Sequence, residues 1–354
     1  MPYPFDHDHR SSLNCFTVSF LDRMNSRRSD ESWISEQLQD PMTRFVPLWR
    51  SRNFFLKDGE PGAALITSVE LDDIKETPKT PILLGKEKGV VYFAVDLPPE
   101  DDLIPDKMVD WGRFLDLRRM GALLEESQAS LLSYARAMTF WHRHHRFCGY
   151  CGGSTISAET GHMRVCTLDT CGRKHFPRTD PAVIVLISSH DKALLGNQSA
   201  WSKGWYSTIA GFVDPGESLE QAVRREALEE TGIEVEDVRY HSSQPWPFPR
   251  SIMIGFTARA VNQEIHVDRV EIENADWFSR EDIMQGLKQG TLHLPTRLSI
   301  AYHLIEGWFN QGDCGLFQDH MKAVESNFMP EKIFPRLLKK HNSLHRVVKG
   351  KVIK

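Results

Sequence analysis

Two close pairs of cysteines near the middle of the chain constrain its fold more than any other feature. They lie in CGYCGGSTISAETGHMRVCTLDTC, with the spacing Cys148-x2-Cys151, fourteen residues, then Cys166-x4-Cys171. Two pairs joined by a hairpin-length segment suit tetrahedral Zn2+ held by four thiolates, Cys148, Cys151, Cys166 and Cys171. Gly149, Gly152 and Gly153 allow the first pair to close into a tight knuckle. Buried free thiols or a redox pair are the alternatives, and the x4 spacing is longer than the commoner x2. Four protein ligands leave no open coordination position, so one zinc per chain would be structural. Cys15 and Cys314 stand alone and read as free thiols. His142, His144 and His145, just upstream, read as surface histidines rather than ligands.

The remaining chain is organised around this fixed point. At 354 residues it is long for one domain, and two or three units are expected. A hydrophobic share of 40% with 10% aromatics is enough to bury real cores. The net charge of −5 favours neither nucleic acid nor a membrane surface. No apolar run approaches the ~18 residues of a membrane span. The opening MPYPFDHDHRSS lacks the charged-then-apolar pattern of a secretory signal, so a cytoplasmic, reducing setting is expected, where disulfides are rare.

Five segments follow from composition and periodicity. Residues 1–110 mix short apolar runs (AALITSVEL, TPILLGK, GVVYFAVDL) with Pro, Gly and Asp turns, an α+β or mostly β unit in which VVYFAVDL is a buried strand. Residues 111–147 carry a helix in which Leu131, Ala135, Met138 and His142 recur at helical spacing, widened by Leu132. The cysteine unit occupies 148–173. Within 174–310, PAVIVLI, KALLGNQ, YSTIAGF and SIMIGFTARAV read as strands, with helices at 218–231 and 296–310. The stretch beyond 311 is a tail; from 332 to 354 it holds eight Lys or Arg and no acid.

Between Gly211 and Ile233 the chain reads GFVDPGESLEQAVRREALEETGI and crowds six acidic side chains together. A strand ends at Gly211, and Pro215-Gly216 turn. Ser218 caps a helix with Gln221 at the capping-box position, and Gly232 ends it. Glu226, Glu229 and Glu230 are then related by i+3 and i+4, and Glu217 can reach the same region. Leu219, Ala222 and either Ala227 or Leu228 supply a packing face. Like charges at this spacing repel by a few tenths of a kcal/mol per pair, so a compensating charge is expected. Hard oxygen ligands suit Mg2+ or Mn2+. Arg225 lies within the cluster and can hold one glutamate in place. A solvated acidic face is the alternative.

This segment resembles the Nudix box, G-x5-E-x7-R-E-U-x-E-E-x-G-U, at Gly211, Glu217, Arg225, Glu226, Glu229, Glu230, Gly232 and Ile233, with the small Ala227 at the inner U. Downstream, SQPWPFPRS at 243–251 interleaves three prolines with Trp246 and Phe248. Three prolines cannot form a regular strand interior, so by composition it is a stiff aromatic loop, able to wall a pocket for a planar ring or to plug a core. The string resembles the SQPWPFPxS signature of the NADH pyrophosphatase branch of Nudix hydrolases. LDR…RRSDESWISEQL, FPRTDPAVI and the order of N-terminal domain, zinc ribbon and Nudix domain are similar too. The resemblance spans about 15–310.

It implies an α/β fold, a Nudix α/β/α sandwich with a mixed sheet, preceded by a zinc ribbon and an N-terminal α+β domain. It implies hydrolysis of NADH, with NAD+ poorer, to reduced nicotinamide mononucleotide and AMP, removal of NAD caps from RNA 5′ ends, and a homodimer. Mg2+ or Mn2+ would be bound by Glu226, Glu229 and Glu230, with Glu217 nearby. A later glutamate would join them: Glu271 in VDRVEIENADWF, with Glu273 the runner-up. Phe176 and Phe212 would lie near the base, Ile184 beneath the ring, Ser251 as a hydrogen-bond partner and Ala301 as a backbone contact. Ile184 and Ala301 are equally at home in a core. Phe176 stands where Tyr is frequent, so a hydroxyl contact is missing. Two other functions remain open: a Nudix hydrolase of ADP-ribose or a diadenosine polyphosphate, and an RNA-binding protein using the ribbon and basic tail.

Overall fold

The computed structural model describes residues 7–74, 80–98, 106–267 and 269–325. The basic stretch 332–354 lies outside the described residues.

The N-terminal sheet has strands β1 (Arg44–Trp49), β2 (Arg52–Leu56), β3 (Ile82–Glu87), β4 (Val90–Leu97) and β5 (Gly112–Leu115), in the order β3-β4-β1-β2-β5. β4 is the VVYFAVDL run, paired parallel to β1 and antiparallel to β3. Side chains alternate across this sheet as a two-residue period requires. Val46, Leu48, Phe55 and Ala94 face the helix Glu126–His144 through Leu131, Leu132, Ala135 and Met138. Phe45, Phe54, Phe93 and Val95 face the other way, towards Trp33, Ile34 and Leu38 of the helix Glu31–Gln39. β5 lies past residue 110 and closes the sheet against β2.

The ribbon is a three-stranded sheet of β6 (Thr155–Ala158), β7 (Met163–Cys166) and β8 (Lys174–His175).

The third unit carries β9 (Asp180–Ser189), β10 (Lys192–Asn197), β11 (Ile209–Phe212), β12 (Val235–Trp246), β13 (Ser251–Ala260) and β14 (Asn274–Ser279). Their order is β12-β13-β9-β10-β14, with β11 added to β9. β9 is parallel to β13 and antiparallel to β10 and β11, so the sheet is mixed. β9 is shared along its length: residues 182–185 pair with β11 and 187–189 with β10. Its apolar run is buried on both faces. Val183, Val185 and Ile187 pack with Ala222, Val223 and Ala227 of the helix Leu219–Thr231. Ile184 and Leu186 pack with Ile300, Ala301, Leu304 and Ile305 of the helix Ile300–Phe309 and with Ile283 of the helix Arg280–Gln289. The result is the expected α/β/α sandwich. Ala227 carries the packing and Leu228 is exposed, which resolves the choice between them.

One sequence expectation is corrected here. The prolines of SQPWPFPRS do not keep it out of the sheet: β12 continues through Pro245, which lies opposite Ile252, to Trp246 opposite Ser251. β12 is an edge strand, where a missing N–H costs no ladder hydrogen bond.

Candidate active site and metal centres

The two cysteine pairs converge. The four sulfurs lie within 4.8 Å of one another, with Cys148 Sγ 3.8 Å from Cys171 Sγ and Cys151 Sγ 3.5 Å from Cys166 Sγ. Each pair sits on a knuckle of backbone hydrogen bonds. Gly152 N–H donates to Cys148 O at 2.9 Å, and Cys171 N–H to Leu168 O at 2.8 Å. The backbone N–H groups of Cys151 and Tyr150 hold the Cys148 thiol down to about 6. Burial and the crowding of neighbouring sulfurs push the Cys166 and Cys171 thiols up, a cost that a cation at their centre would relieve, so the four convergent sulfurs fit Zn2+.

The upstream histidines are not all on the surface. His142 is half-buried: its Nε2 donates to Gly161 O at 2.7 Å while Arg164 donates to its Nδ1 at 2.9 Å. Burial pushes it down to about 4, so it is a neutral structural link between helix and ribbon. His145 is half-buried as well, and His144 alone is exposed. None of the three belongs to the sulfur cluster.

The carboxylate cluster is built on the helix Leu219–Thr231. Ser218 accepts from Gln221 N–H, Gln221 answers on the Ser218 N–H, and Gly232 ends the helix at φ 70°. A cap of this kind contributes about 1 kcal/mol. Glu226 and Glu230 point inward, 7% and 3% exposed, and with Glu271 they place carboxylate oxygens within 4.8 Å of one another. Glu271 is brought in by its neighbour Ile272, which is buried against Gly196 and Ile209. Glu273 does not join the trio; its backbone N–H is bonded to Asn197 O.

Gly211 is required by this geometry. A Cβ there would sit 1.9 Å from the Glu226 carboxyl group. Arg225 binds Glu217 with two nitrogens at 2.6 and 3.0 Å, Glu226 at 2.9 Å, Glu229 at 3.0 Å and Phe212 O at 2.8 Å. It therefore holds three glutamates and the loop, where one glutamate was expected. Glu217 and Glu229 touch Arg225 and lie outside the trio. Burial raises the Glu226 carboxyl above its ordinary range, Arg225 opposes this, and Glu271 and Glu229 add to it. Arg225 and the Asp214 backbone N–H hold Glu217 below its ordinary range. Five carboxylates around one guanidinium leave an excess of negative charge on hard oxygen donors. Such a set fits a divalent cation.

The expected ring contacts are scattered. Phe176 and Phe212 are exposed, 58% and 59%. Ile184 and Ala301 lie in one packed cluster, 4% and 0% exposed, and the Ala301 N–H is taken by the Ser299 cap. Core packing accounts for both. Ser251 is buried at the start of β13.

Phe248 does not wall an open pocket. It is buried with Phe16, Leu117 and Leu132, in edge contact with Trp246 at 5.0 Å, under the guanidinium groups of Arg118 and Arg136. Its neighbours act in the same joint. Arg136 Nε donates to Pro247 O at 2.9 Å. The fully buried Gln244 donates to Cys15 O and Leu298 O and accepts from Ile300 N–H at 2.8 Å. The string SQPWPFPRS thus clamps the N-terminal unit, the linking helix and the closing helix together. Sequence reasoning missed Gln244, because nothing local marks a glutamine as a three-way bridge.

Comparisons with known proteins agree with this layout. Residues 42–141 match the family model of the NADH pyrophosphatase-like rudimentary NUDIX domain, 143–176 the NADH pyrophosphatase zinc ribbon domain, and 177–297 the NUDIX domain. The chain is 33% identical over 353 residues to the NAD-capped RNA hydrolase NUDT12 of Homo sapiens, covering 87% of this chain and 76% of that one. It is 36% identical over 276 residues to Nudix hydrolase 19, chloroplastic, of Arabidopsis thaliana, covering 64% and 63%. It is 38% identical over 255 residues to the NAD-capped RNA hydrolase NudC of Mycobacterium bovis, covering 68% and 78%. The chain belongs to the Nudix hydrolase family, in its zinc-ribbon-containing NADH pyrophosphatase branch.

Proposed function

We propose that this chain hydrolyses the pyrophosphate bond of NADH, and of NAD+ less well, to nicotinamide mononucleotide and AMP, and that it removes NAD caps from RNA 5′ ends. The observation that carries this is the oxygen trio of Glu226, Glu230 and Glu271 beside the Gly211 loop. Relatives across most of the chain are named NAD-capped RNA hydrolases. We assign Mg2+ or Mn2+ to the trio, where a bound ion would supply an activated water and offset charge on the phosphates. In the hydrolysis, water oxygen bonds to one phosphorus, the bridging anhydride bond breaks, and the bridging oxygen leaves with the other phosphate. Glu226 and Glu230 are presented by one rigid helix, and Glu271 closes the trio from the loop that precedes β14. Arg225 orients Glu226 and restrains Glu217 and Glu229 at the rim. The nicotinamide ring is assigned to the exposed faces of Phe176 and Phe212. The assembly is assigned as a cytosolic homodimer.

The test is a comparison of kcat/KM for NADH, NAD+, ADP-ribose, a diadenosine polyphosphate and a short NAD-capped RNA, each with Mg2+ or Mn2+. A clear preference for NADH or the capped RNA supports the reading. Equal rates on ADP-ribose would sink the substrate assignment and leave the carboxylate site standing.

A further inference from the structure

The short helix His7–Ser12 and the turn after it lie along the outer edge of β12. The buried Asn14 donates from Nδ2 to Ser242 Oγ at 3.1 Å and to Ser243 O at 3.0 Å, and Ser243 N–H donates to Ser11 Oγ at 3.3 Å. These bonds satisfy backbone groups that an edge strand otherwise leaves open. The His7 ring packs on Tyr240 at 5.1 Å. Between this segment and the helix Ile300–Phe309 lies His241 of β12, half-buried, with Nδ1 2.8 Å from Ser242 Oγ. Its Nε2 is turned towards that helix: a Cβ on Gly307 would sit 3.7 Å from it. His303, one turn before Gly307, lies on the same helix face. The buried His303 Nε2 has no hydrogen-bond partner among the described residues.

The groups around His241 leave no place for a proton. In the neutral ring the Ser242 hydroxyl can donate to Nδ1 while its oxygen accepts from Asn14. A proton turns Nδ1 into a donor, and three hydrogens then compete around one fully buried oxygen. Burial holds His241 down to about 4, and Arg10, His303 and His7 repel a charge on it besides. On the helix Ile300–Phe309, Glu306 is engaged by Tyr302 OH and His303 Nδ1, both at 3.3 Å, so it answers a proton on His303. From β13, the flanking Gly255 and Phe256 carry no charge. Within β12, Arg239 is paired with Asp237. Asp8 and His9 are exposed. We infer that the segment from His7 to Asn14 is an acid-released latch on β12: a proton on His241 drives the segment off the strand. Release bares the Ser243 N–H and C=O, the groups that a second strand would use. The latch goes beyond the hydrolysis proposed above and does not depend on its substrate.

The test is hydrogen exchange on the zinc-loaded full chain, read at residues 7–15 and at the Ser243 amide. Rates are corrected for the intrinsic pH dependence of exchange and referred to the buried β9. A group held from 6.5 down to about 4 shifts the docking equilibrium by up to about tenfold per pH unit between those values. Protection of the latch should therefore fall by roughly tenfold or more between pH 7 and pH 5. In His241→Gln, which keeps a polar side chain and removes the titration, protection at pH 5 should stay within about twofold of its value at pH 7. If His241→Gln is already open at pH 7, Arg10→Gln decides. It removes a fixed positive charge from the latch itself and should move the opening to lower pH; an unchanged midpoint would overturn the inference. So would equal protection of the parent at pH 7 and pH 5, or an equal loss in His241→Gln that is closed at pH 7. Exchange at residues 7–15 that merely follows β9 would make the event global unfolding and overturn it too. No readout needs a substrate, so the latch and the hydrolysis of NADH can fail separately.

Discussion

The chain gathers like charge twice, at the four cysteines and at the trio of two buried glutamates and the exposed Glu271, and it solves the two problems differently. At the cysteines the backbone does the work. Two knuckles aim N–H groups at sulfur, every ligand comes from within 24 residues of sequence, and four ligands fill a tetrahedron. At the glutamates a side chain does part of the work. Arg225 spans Glu217, Glu226 and Glu229, while the trio draws Glu271 from 41 residues beyond Glu230. Three carboxylates do not complete the shell of a hard cation, so positions remain for water and phosphate oxygens. The first arrangement suits a structural ion and the second a reacting one.

The sharpest way to test this contrast is to break each centre and ask what else is lost. Cys148→Ser should abolish zinc binding and unfold the ribbon, since metal affinity in small units of this kind, ~10–16 kcal/mol, is folding free energy. Zinc content and the thermal transition would read this; retained zinc with an unchanged transition would contradict it. Glu230→Gln should do the reverse, keeping zinc and fold while lowering kcat/KM at least ~10^3-fold, about 4 kcal/mol of transition-state stabilisation. Residual activity within a few-fold of the parent would remove Glu230 from the site.

Gly211→Ala probes placement without removing any ligand. Its Cβ must displace the Glu226 carboxyl group by more than an ångström. Activity should fall about 10^2-fold, as expected for a misplaced catalytic group, with zinc content unaffected. A full-rate Gly211→Ala enzyme would mean that Glu226 need not occupy its present position.

The smallest effect expected is a pH dependence at the ribbon's seam with the N-terminal unit. Burial holds His142 and His162 down to about 4, and His162 Nε2 is bonded to Leu83 O at 2.7 Å. The unfolded chain takes up these protons near 6.5, whereas the folded chain resists them. Their contribution to stability is therefore full above pH 6.5 and is lost as pH falls towards 4. His162→Gln, which keeps a donor and removes the titration, should flatten part of the fall in urea midpoint over that range. An identical slope in the variant would exclude His162 as a cause.

Legibility in the sequence followed the range of the interaction. Ser218, Gln221 and Gly232 mark the ends of one helix, and the helical repeat of Glu226, Glu229 and Glu230 could be read directly. The β9 run and the apolar stripe of the helix Glu126–His144 were equally plain, because period 2 and period 3.6 are properties of a single segment. β1, with Pro47 inside it, was not anticipated. Its place next to β4 depends on a pairing across more than 40 residues, which no local pattern records. The prolines of SQPWPFPRS were misread as a bar to strand formation, since sequence does not say which strand will be the edge. Phe248 and Gln244 carry no sign that they clamp three units together.

By itself, then, the sequence determined the two knuckles, the capped acidic helix and the alternation of the central strands, because each arises within a few residues of chain. Tertiary structure alone decided that Glu271 rather than Glu273 completes the trio. It also decided that Arg225 serves three glutamates, that Ile184 and Ala301 belong to the core, and that Phe248 is a plug. The physical reason is common to all four. A periodic pattern fixes how side chains stand relative to their own helix or strand, whereas the meeting of two distant segments is set by the packing of every residue between them.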